Sequence, residues 1–485
     1  MSGSQNGGMR NSKYGKCSAF ASAHSAFLSR SVLGIALLAT LALPFLLRPD
    51  KDARSVAQNG EDLPSEKLIL ISPHWEGVRR EFGRAFSEWT VQRLGHRTEL
   101  EWLDIGGTSD GIRYVKSEFT RSPQGINVDL FFGGGVDPFM QLSDAGLLEI
   151  VGIPPYVLDA IPPTFSGIKI YDAEAGWFGT ALAGFGILHN KKICERLNLS
   201  IPVTWQDLGR PEFLTWVGSG DPRSSGSIHM AYEIMLQAYG WEKGWEIVTR
   251  MCGNTRNFSR SGSQVPKDAA IGEVACGMSI DVYAWKQVAE VGADRMGFIL
   301  PEGLTVINPD GIAILKGAPH PELAARFIEF VLTDPGQKLW CLKQGVPGGP
   351  RDFELDRMPV IPGFAARFGE DAAVAYDAYQ WKSGFTYDPN KGSQRWTILN
   401  DLIGATMIDT HRELVAAWRR VSALPSDHEQ VKALTAPPMA EAALLQLAKT
   451  NWNDAEFRAR TRAAWANEAK ARYRRIKVRQ GDGRD

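Results

Sequence analysis

Neither sign of charge dominates this 485-residue sequence: 54 Lys and Arg stand against 55 Asp and Glu, a net charge of -1. That balance removes the electrostatic case for a nucleic-acid partner. Cysteine is scarce, and the five present (Cys17, Cys194, Cys252, Cys276 and Cys341) include no C-x-x-C pair and no Cys/His spacing suited to zinc. Neither a metal nor a redox centre is indicated, and no cofactor is implied. Cys252 and Cys276 are either a disulfide of an exported protein or two buried thiols, and spacing does not choose between them. The amino-terminal apolar run, residues 31–47, is broken by Pro44 and is slightly short of the ~20 residues of a typical spanning helix. What remains is ordinary for globular domains: 44% hydrophobic and 22% charged residues, in a chain long enough for two or three of them.

Residues 1–30 are small and polar, with Arg10, Lys13, Lys16 and Arg30, so the run that follows reads as an export signal or a single membrane anchor. Arg48, Asp50, Lys51, Asp52 and Arg54 come at once after it, and the nearest small-residue cleavage site, Ser55-Val56-Ala57, is distant. An uncleaved anchor is therefore preferred, with residues 48–66 as linker and the rest of the chain outside the cytoplasm, in the periplasm or at the cell exterior. Cys17 precedes the run, which excludes a lipoprotein lipobox.

From residue 67 the pattern alternates. Strands are expected at 67–72, 98–105 and 127–132, the first two each followed by a helical apolar face and the third stopping at 133–138, so a mainly parallel sheet with helices on both sides is predicted. Ligands of such sheets sit beyond the carboxyl ends of the strands, where His74, Thr108 and the loop Gly133-Gly134-Gly135-Val136-Asp137 fall. Residues 176–190 read as a long crossing strand, 305–315 as a second crossing, and 215–218 and 273–280 as strands of another unit between them. Two lobes joined by two crossings enclose a cleft that can close on a small ligand. Within the second lobe, Asp221-Pro222-Arg223-Ser224-Ser225-Gly226-Ser227 opens into an apolar helical repeat beginning near Ser225. Helix amino-termini stabilise carboxylate, phosphate or sulfate, the serines add hydroxyl donors, and Gly226 permits close approach. The plainer alternative is that one serine is an ordinary helix cap.

The ordered motifs Pro202-Val203-Thr204-Trp205-Gln206-Asp207-Leu208, Asp221 to Ser227, Gly272-Glu273-Val274-Ala275 and Pro309-Asp310-Gly311-Ile312-Ala313-Ile314-Leu315-Lys316-Gly317 resemble the extracellular solute-binding proteins of ABC importers, in the group related to ferric-ion-binding proteins. The resemblance spans roughly 67–344. It implies an α/β, two-lobed type 2 periplasmic-binding fold with a hinge of two crossing strands: lobe 1 at 67–175 and 305–345, lobe 2 at 176–304. It also implies a non-catalytic, monomeric receptor whose partners are a small ligand and the ABC permease and ATPase. Iron-binding relatives resemble this chain at His74 and Tyr283, but Val282 stands where a second tyrosine is usual, and glycine ends the third strand where some place a carboxylate. Ferric ion needs hard anionic oxygens, so a phosphorylated or carboxylated small molecule is the favoured ligand and ferric ion the second choice. The expected ligand-binding residues are His74, Thr108, Gly134, Gly135, Asp137, Ser224, Ser225, Gly226, Ser227, Asp281 and Tyr283, with 259–263 a further candidate loop.

A rival reading comes from Gly107-Thr108-Ser109-Asp110-Gly111, which matches G-x-S-x-G between a strand and a helix, as in a serine hydrolase. The preceding strand alternates polar and apolar residues, unlike the doubly buried strand that feeds a nucleophile elbow. A Gly-Ser loop at a cleft lip is the simpler account. Residues 346–485 are an expected helical extension, with helices over 371–421 and 436–475 and a basic end from Arg472 to Arg479. Such an extension could brace the lobes or meet a partner.

Overall fold

The first strand, β1 (Ser65–Ile71), alternates into burial at Leu68, Leu70 and Ile71, and the chain from there to residue 477 forms the fold. The computed structural model describes residues 64–477 except 375 and 383. The apolar run 31–47 and the basic end beyond 477 lie outside the described residues; among those described, no helix is long and apolar enough to cross a membrane.

In chain order the framework is α1 (Glu76–Leu94), β2 (Arg97–Leu103), α2 (Thr108–Arg121), β3 (Leu130–Phe132), α3 (Val136–Asp144) and β4 (Trp177–Asn190). Then come β5 (Val217–Gly220), α4 (Gly226–Ala238), α5 (Trp241–Asn254), β6 (Thr255–Ser259), β7 (Cys276–Ile280), α6 (Asp281–Val291), β8 (Met296–Ile299), β9 (Ile307–Leu315) and α7 (Pro321–Leu332). The main sheet path runs β6-β5-β7-β4-β9-β3-β1-β2. β1 pairs in parallel with both β2 and β3. β4 is buried along its whole length. Its first part runs antiparallel to β9, and its second part, from Phe185, runs antiparallel to β7. One strand therefore belongs to both halves of the sheet, and β9 returns the chain beside it.

The aromatic face of α1, with Phe82 and Phe86, packs on Phe327, Phe330 and Trp340 to close one side of the first half. The larger apolar cluster joins Ile112, Phe131 and Phe139 to Ile228, Trp245 and Met251 of the second half, and continues into Leu402, Trp418 and Tyr473.

That continuation is the carboxy-terminal extension: α8 (Pro389–Ile403), α9 (His411–Val421) and α10 (Ala455–Arg475), with short helices Glu429–Thr435 and Glu441–Thr450 between the last two. It differs from the expected pattern at 436–440 and 451–454, which are not helical, at Glu429–Thr435, which is helical, and in one longer stretch. Residues 371–388 are irregular, with 3-10 turns only, because Asp388 caps Lys391 N–H and Pro389 occupies the first helical position, which fixes the true start of α8. The question left by the cysteines is also answered. Cys252 and Cys276 are buried free thiols, and burial pushes the Cys252 thiol up to about 12.

Candidate functional site

Where the strand ends of both halves meet, a cleft of 460 Å³ opens. Helices α1, α2, α3, α4 and α6 all begin on its wall, after Trp75, Gly107, Gly135, Ser225 and Ile280. Each brings first-turn N–H groups and the positive end of a dipole. Of the five, only α4 is capped by the side chain of its own N-cap residue, Ser225 Oγ accepting from Ile228 N–H at 3.4 Å, while Val136 N–H of α3 donates to Asn308 Oδ1 at 3.1 Å and Val282 N–H of α6 to Asp281 Oδ1 at 2.7 Å. The socket turn ahead of it is closed by Asp221, whose carbonyl accepts from Ser224 and Ser225 N–H, both at 3.1 Å.

The loop after β3 reaches the same space with Gly133 and Gly134 at φ +114° and +108°, conformations that side chains other than glycine rarely adopt. A Cβ on Gly134 would lie 2.5 Å from Thr108 Cγ2, and one on Gly226 2.7 Å from Thr108 Cβ. Glycine is therefore what allows α2, α3 and α4 to start so close together. The two walls already touch, since a Cβ on Gly107 would lie 2.2 Å from the Ser224 carbonyl.

His74 lies beside the loop after β3, buried against the edge of Phe132. Its Nε2–H donates to Asp310 Oδ2 at 2.8 Å, and Arg357 Nη1 donates to the same oxygen at 2.5 Å. Gly134 N–H donates to Asp310 Oδ1 at 2.6 Å. Burial alone would raise the Asp310 carboxyl, but Arg357, His74 and this N–H outweigh it and hold it at about 2. Burial keeps His74 below its ordinary value despite Asp310, so the ring is neutral near pH 7. Charge along the cleft is largely paired: Arg357 with Asp310, Arg79 with Asp104 at 3.5 Å, Arg113 with Asp110. Arg260 lines the cleft with no ion-pair partner among the described residues.

The cleft thus gathers His74, Thr108, Gly134, Gly135, Ser224, Ser225, Gly226, Ser227 and Tyr283, together with the loop Arg260-Ser261-Gly262-Ser263. Two expected residues are not on its wall. Asp137 points behind α3, where Tyr387 Oη donates to it at 2.9 Å. Burial, and then the nearby Glu233, push its carboxyl well above the usual carboxylate range. Asp281 turns back onto Gly184 N–H and Val282 N–H, both at 2.7 Å. Burial raises it to about 6. Tyr283 reaches the cleft, and burial raises its phenol. Among the described residues no group of three His, Cys, Asp or Glu side chains is placed to hold a metal ion.

The hydrolase reading fails at Ser109. Its buried Oγ donates to the Pro222 carbonyl at 3.0 Å and accepts from Trp396 Nε1–H at 3.1 Å. Neither partner can take a proton from a nucleophile, and the hydroxyl does not line the cleft. Conversely, Arg79, Asp310 and Arg357 went unforeseen as cleft residues. Asp310 had a signal, a lone acid inside the apolar strand Ile307–Leu315, whereas Arg357 stands in an irregular stretch with no periodicity.

Known proteins bear on this geometry. The family of bacterial extracellular solute-binding proteins matches residues 128–373, a little more than half of the chain. An uncharacterized protein of Haemophilus influenzae is 26% identical over 264 residues, covering 53% of this chain and 72% of that one. The phosphoglycerate transport regulatory protein PgtC of Salmonella typhimurium is 26% identical over 206 residues, 42% of this chain and 48% of PgtC, so the match spans about half of PgtC. In structure, the periplasmic binding protein AfuA of Actinobacillus pleuropneumoniae, solved with fructose 6-phosphate, aligns with a TM-score of 0.56 at 20% identity, over 74% of this chain and 99% of AfuA. The apo ferric ion-binding protein A of Pasteurella haemolytica aligns with a TM-score of 0.54 at 16% identity, over 70% of this chain and 96% of that protein. At such identities the structural likeness speaks to the fold. The family match over half of the chain speaks to the class: the protein belongs to the bacterial extracellular solute-binding proteins, the non-catalytic capture components of ABC importers, on a periplasmic-binding fold shared with the ferric-ion-binding proteins.

Proposed function

We propose that the protein captures a phosphorylated or carboxylated small molecule in this cleft and hands it to an ABC permease and its ATPase, as a monomer held at the membrane by residues 31–47. The observation that carries the ligand class is the convergence of helix amino-termini and serine hydroxyls on a space that also holds Arg260, a cation with no ion-pair partner among the described residues. An N–H or hydroxyl donated to a charged acceptor contributes about 1.5–3 kcal/mol, and the dipoles add a smaller amount. The ligand contacts proposed are Thr108, Gly134, Gly135 and His74 from lobe 1 (67–175 and 305–345), with Ser224 to Ser227 and Tyr283 from lobe 2 (176–304). PgtC, named for phosphoglycerate transport, and AfuA, solved with fructose 6-phosphate bound, support the same class.

Isothermal titration with fructose 6-phosphate, 3-phosphoglycerate, inorganic phosphate, citrate and ferric citrate tests this reading. Saturable binding of a phosphate or carboxylate without iron is expected. Binding that requires iron and is lost in Tyr283→Phe would replace it with the ferric reading, for which His74 and Tyr283 both line the cleft. Intact mass of protein from the native host tests the tether: a mature chain starting near Gln58 would show cleavage instead.

A further inference from the structure

The family match ends at residue 373, yet side chains beyond it hold the cleft from behind. Each meets a different cleft element. Trp396 of α8 donates its indole N–H to Ser109 in the first turn of α2, and Ser109 passes its own hydrogen bond to the Pro222 carbonyl in the socket turn. Asp409, just past α8, takes Arg223 Nη1 and Nη2 at 3.0 and 2.9 Å. The same guanidinium gives Nε and Nη2 to Asp221 at 2.9 and 2.7 Å. All three nitrogens of Arg223 are thereby used, and the residue is absent from the cleft wall. The arginine of the socket motif thus ties the socket turn to the extension. Tyr387 makes the third contact, on Asp137 in the first turn of α3.

The fit is close. A Cβ on Gly404 would lie 2.6 Å from Arg223 Nε, and one on Gly392 2.3 Å from Tyr387 Oη. α8 is itself fixed to α4, since Arg395, wholly buried, gives Nε and Nη2 to Glu233, each at 2.8 Å, and Asn400 bonds His229 at 2.6 Å.

We infer that residues 387–409 are the positioning frame of the binding cleft, with Trp396, Asp409 and Tyr387 as positioning residues that hold the starts of α2 and α3 and the socket turn in register for an anion. A loop held only by its own ends opens locally at little cost, and a charged fork–fork pair is among the stronger devices for preventing that. Order present before binding is order the ligand does not have to impose, so the frame acts on affinity through ligand retention.

Only the ligand arm of the test rests on the anion reading. In the full chain, Asp409→Asn keeps shape and weakens the fork, Trp396→Phe replaces the indole by a smaller ring without the N–H, and Asp409→Glu retains the charge. Without ligand, hydrogen exchange is expected to speed up about tenfold at the hydrogen-bonded amides of Ser224, Ser225 and Gly111 in the first two variants, with the rest of the chain nearly unchanged and, in Asp409→Asn, the melting temperature as well. Asp409→Glu should recover part of the protection. With fructose 6-phosphate as probe, dissociation should quicken about fivefold or more while association changes little. Unchanged exchange at those amides overturns the inference whether or not the probe binds. So does a uniform loss of protection across the extension, which would make Asp409 a general stability contact. Wild type that binds no anion sinks the anion reading and leaves exchange to decide the frame.

Discussion

Ser225 carries two roles that substitution can separate, because its hydroxyl caps α4 and also faces the cleft. Ser225→Ala removes the cap and should lower stability by about 1 kcal/mol. Ser225→Asp keeps an acceptor for Ile228 N–H, favours the helix dipole and places a negative charge in the socket. Its melting temperature should be unchanged or higher while anion affinity falls by about tenfold or more. Equal binding by both variants would place the anion elsewhere. Proline at Gly226 is a poorer probe, since its ring would meet Thr108 across the cleft. Arg260, exposed and without an ion-pair partner among the described residues, should act by charge alone. Arg260→Gln is expected to weaken binding several-fold at low salt and to flatten its salt dependence, with the two proteins converging at about 1 M salt. The socket was legible because proline, glycine and serines at fixed offsets before an apolar repeat have few uses. Asp137 and Asp281 were misplaced for a related reason. An acid in the first turn of a helix looks like a ligand in sequence, and only packing reveals that Tyr387 or Gly184 has taken it.

Among the elements, β4 was the clearest in sequence, as a long apolar run with glycines and no helical period. The glycines have a packing reason. A Cβ on Gly186 would lie 2.2 Å from the Ile299 carbonyl of β8, so only glycine lets the two strands pair at that register. Gly186→Val should destabilise by about 1–3 kcal/mol or more through strain in the crossing strand, read as a lower urea midpoint. An unshifted midpoint would show that β8 can move aside at no cost. β6 was not anticipated, because Thr255–Ser259 is short and polar and becomes a strand only through pairing with β5. The stretch 371–388 failed in the opposite direction, its alanines reading as helix while Asp388 and Pro389 set the start further on. In both cases tertiary contacts outweighed local preference, and local preference is all that periodicity registers.

For the whole molecule, buried titratable groups of opposite tendency make stability a balance across mildly acidic pH. Burial lowers His229 and His189 to about 4. An unfolded chain then binds protons that the folded chain refuses, so this contribution is complete above the ordinary value of 6.5 and is lost as pH falls towards 4. For His229, with no exposed surface, the loss between pH 7.5 and 4.5 is about 2–3 kcal/mol. Asp281 works in reverse. Burial raises it from 3.8 to about 6, so its contribution is complete below 3.8 and is lost as pH rises through 6. Asp356 is pushed further, to about 7, by burial and then by Asp281 and Glu354, and carries the same sign. The two groups offset each other in the wild type, and single substitutions should unmask them. His229→Gln, which keeps a donor for Asn400 and cannot titrate, should gain about 2–3 kcal/mol relative to wild type between pH 7.5 and 4.5. Asp281→Asn should lose a similar amount over the same descent. Urea midpoints measured across that range give both slopes, and curves parallel to wild type would mean that local opening lets water reach these groups before the fold gives way.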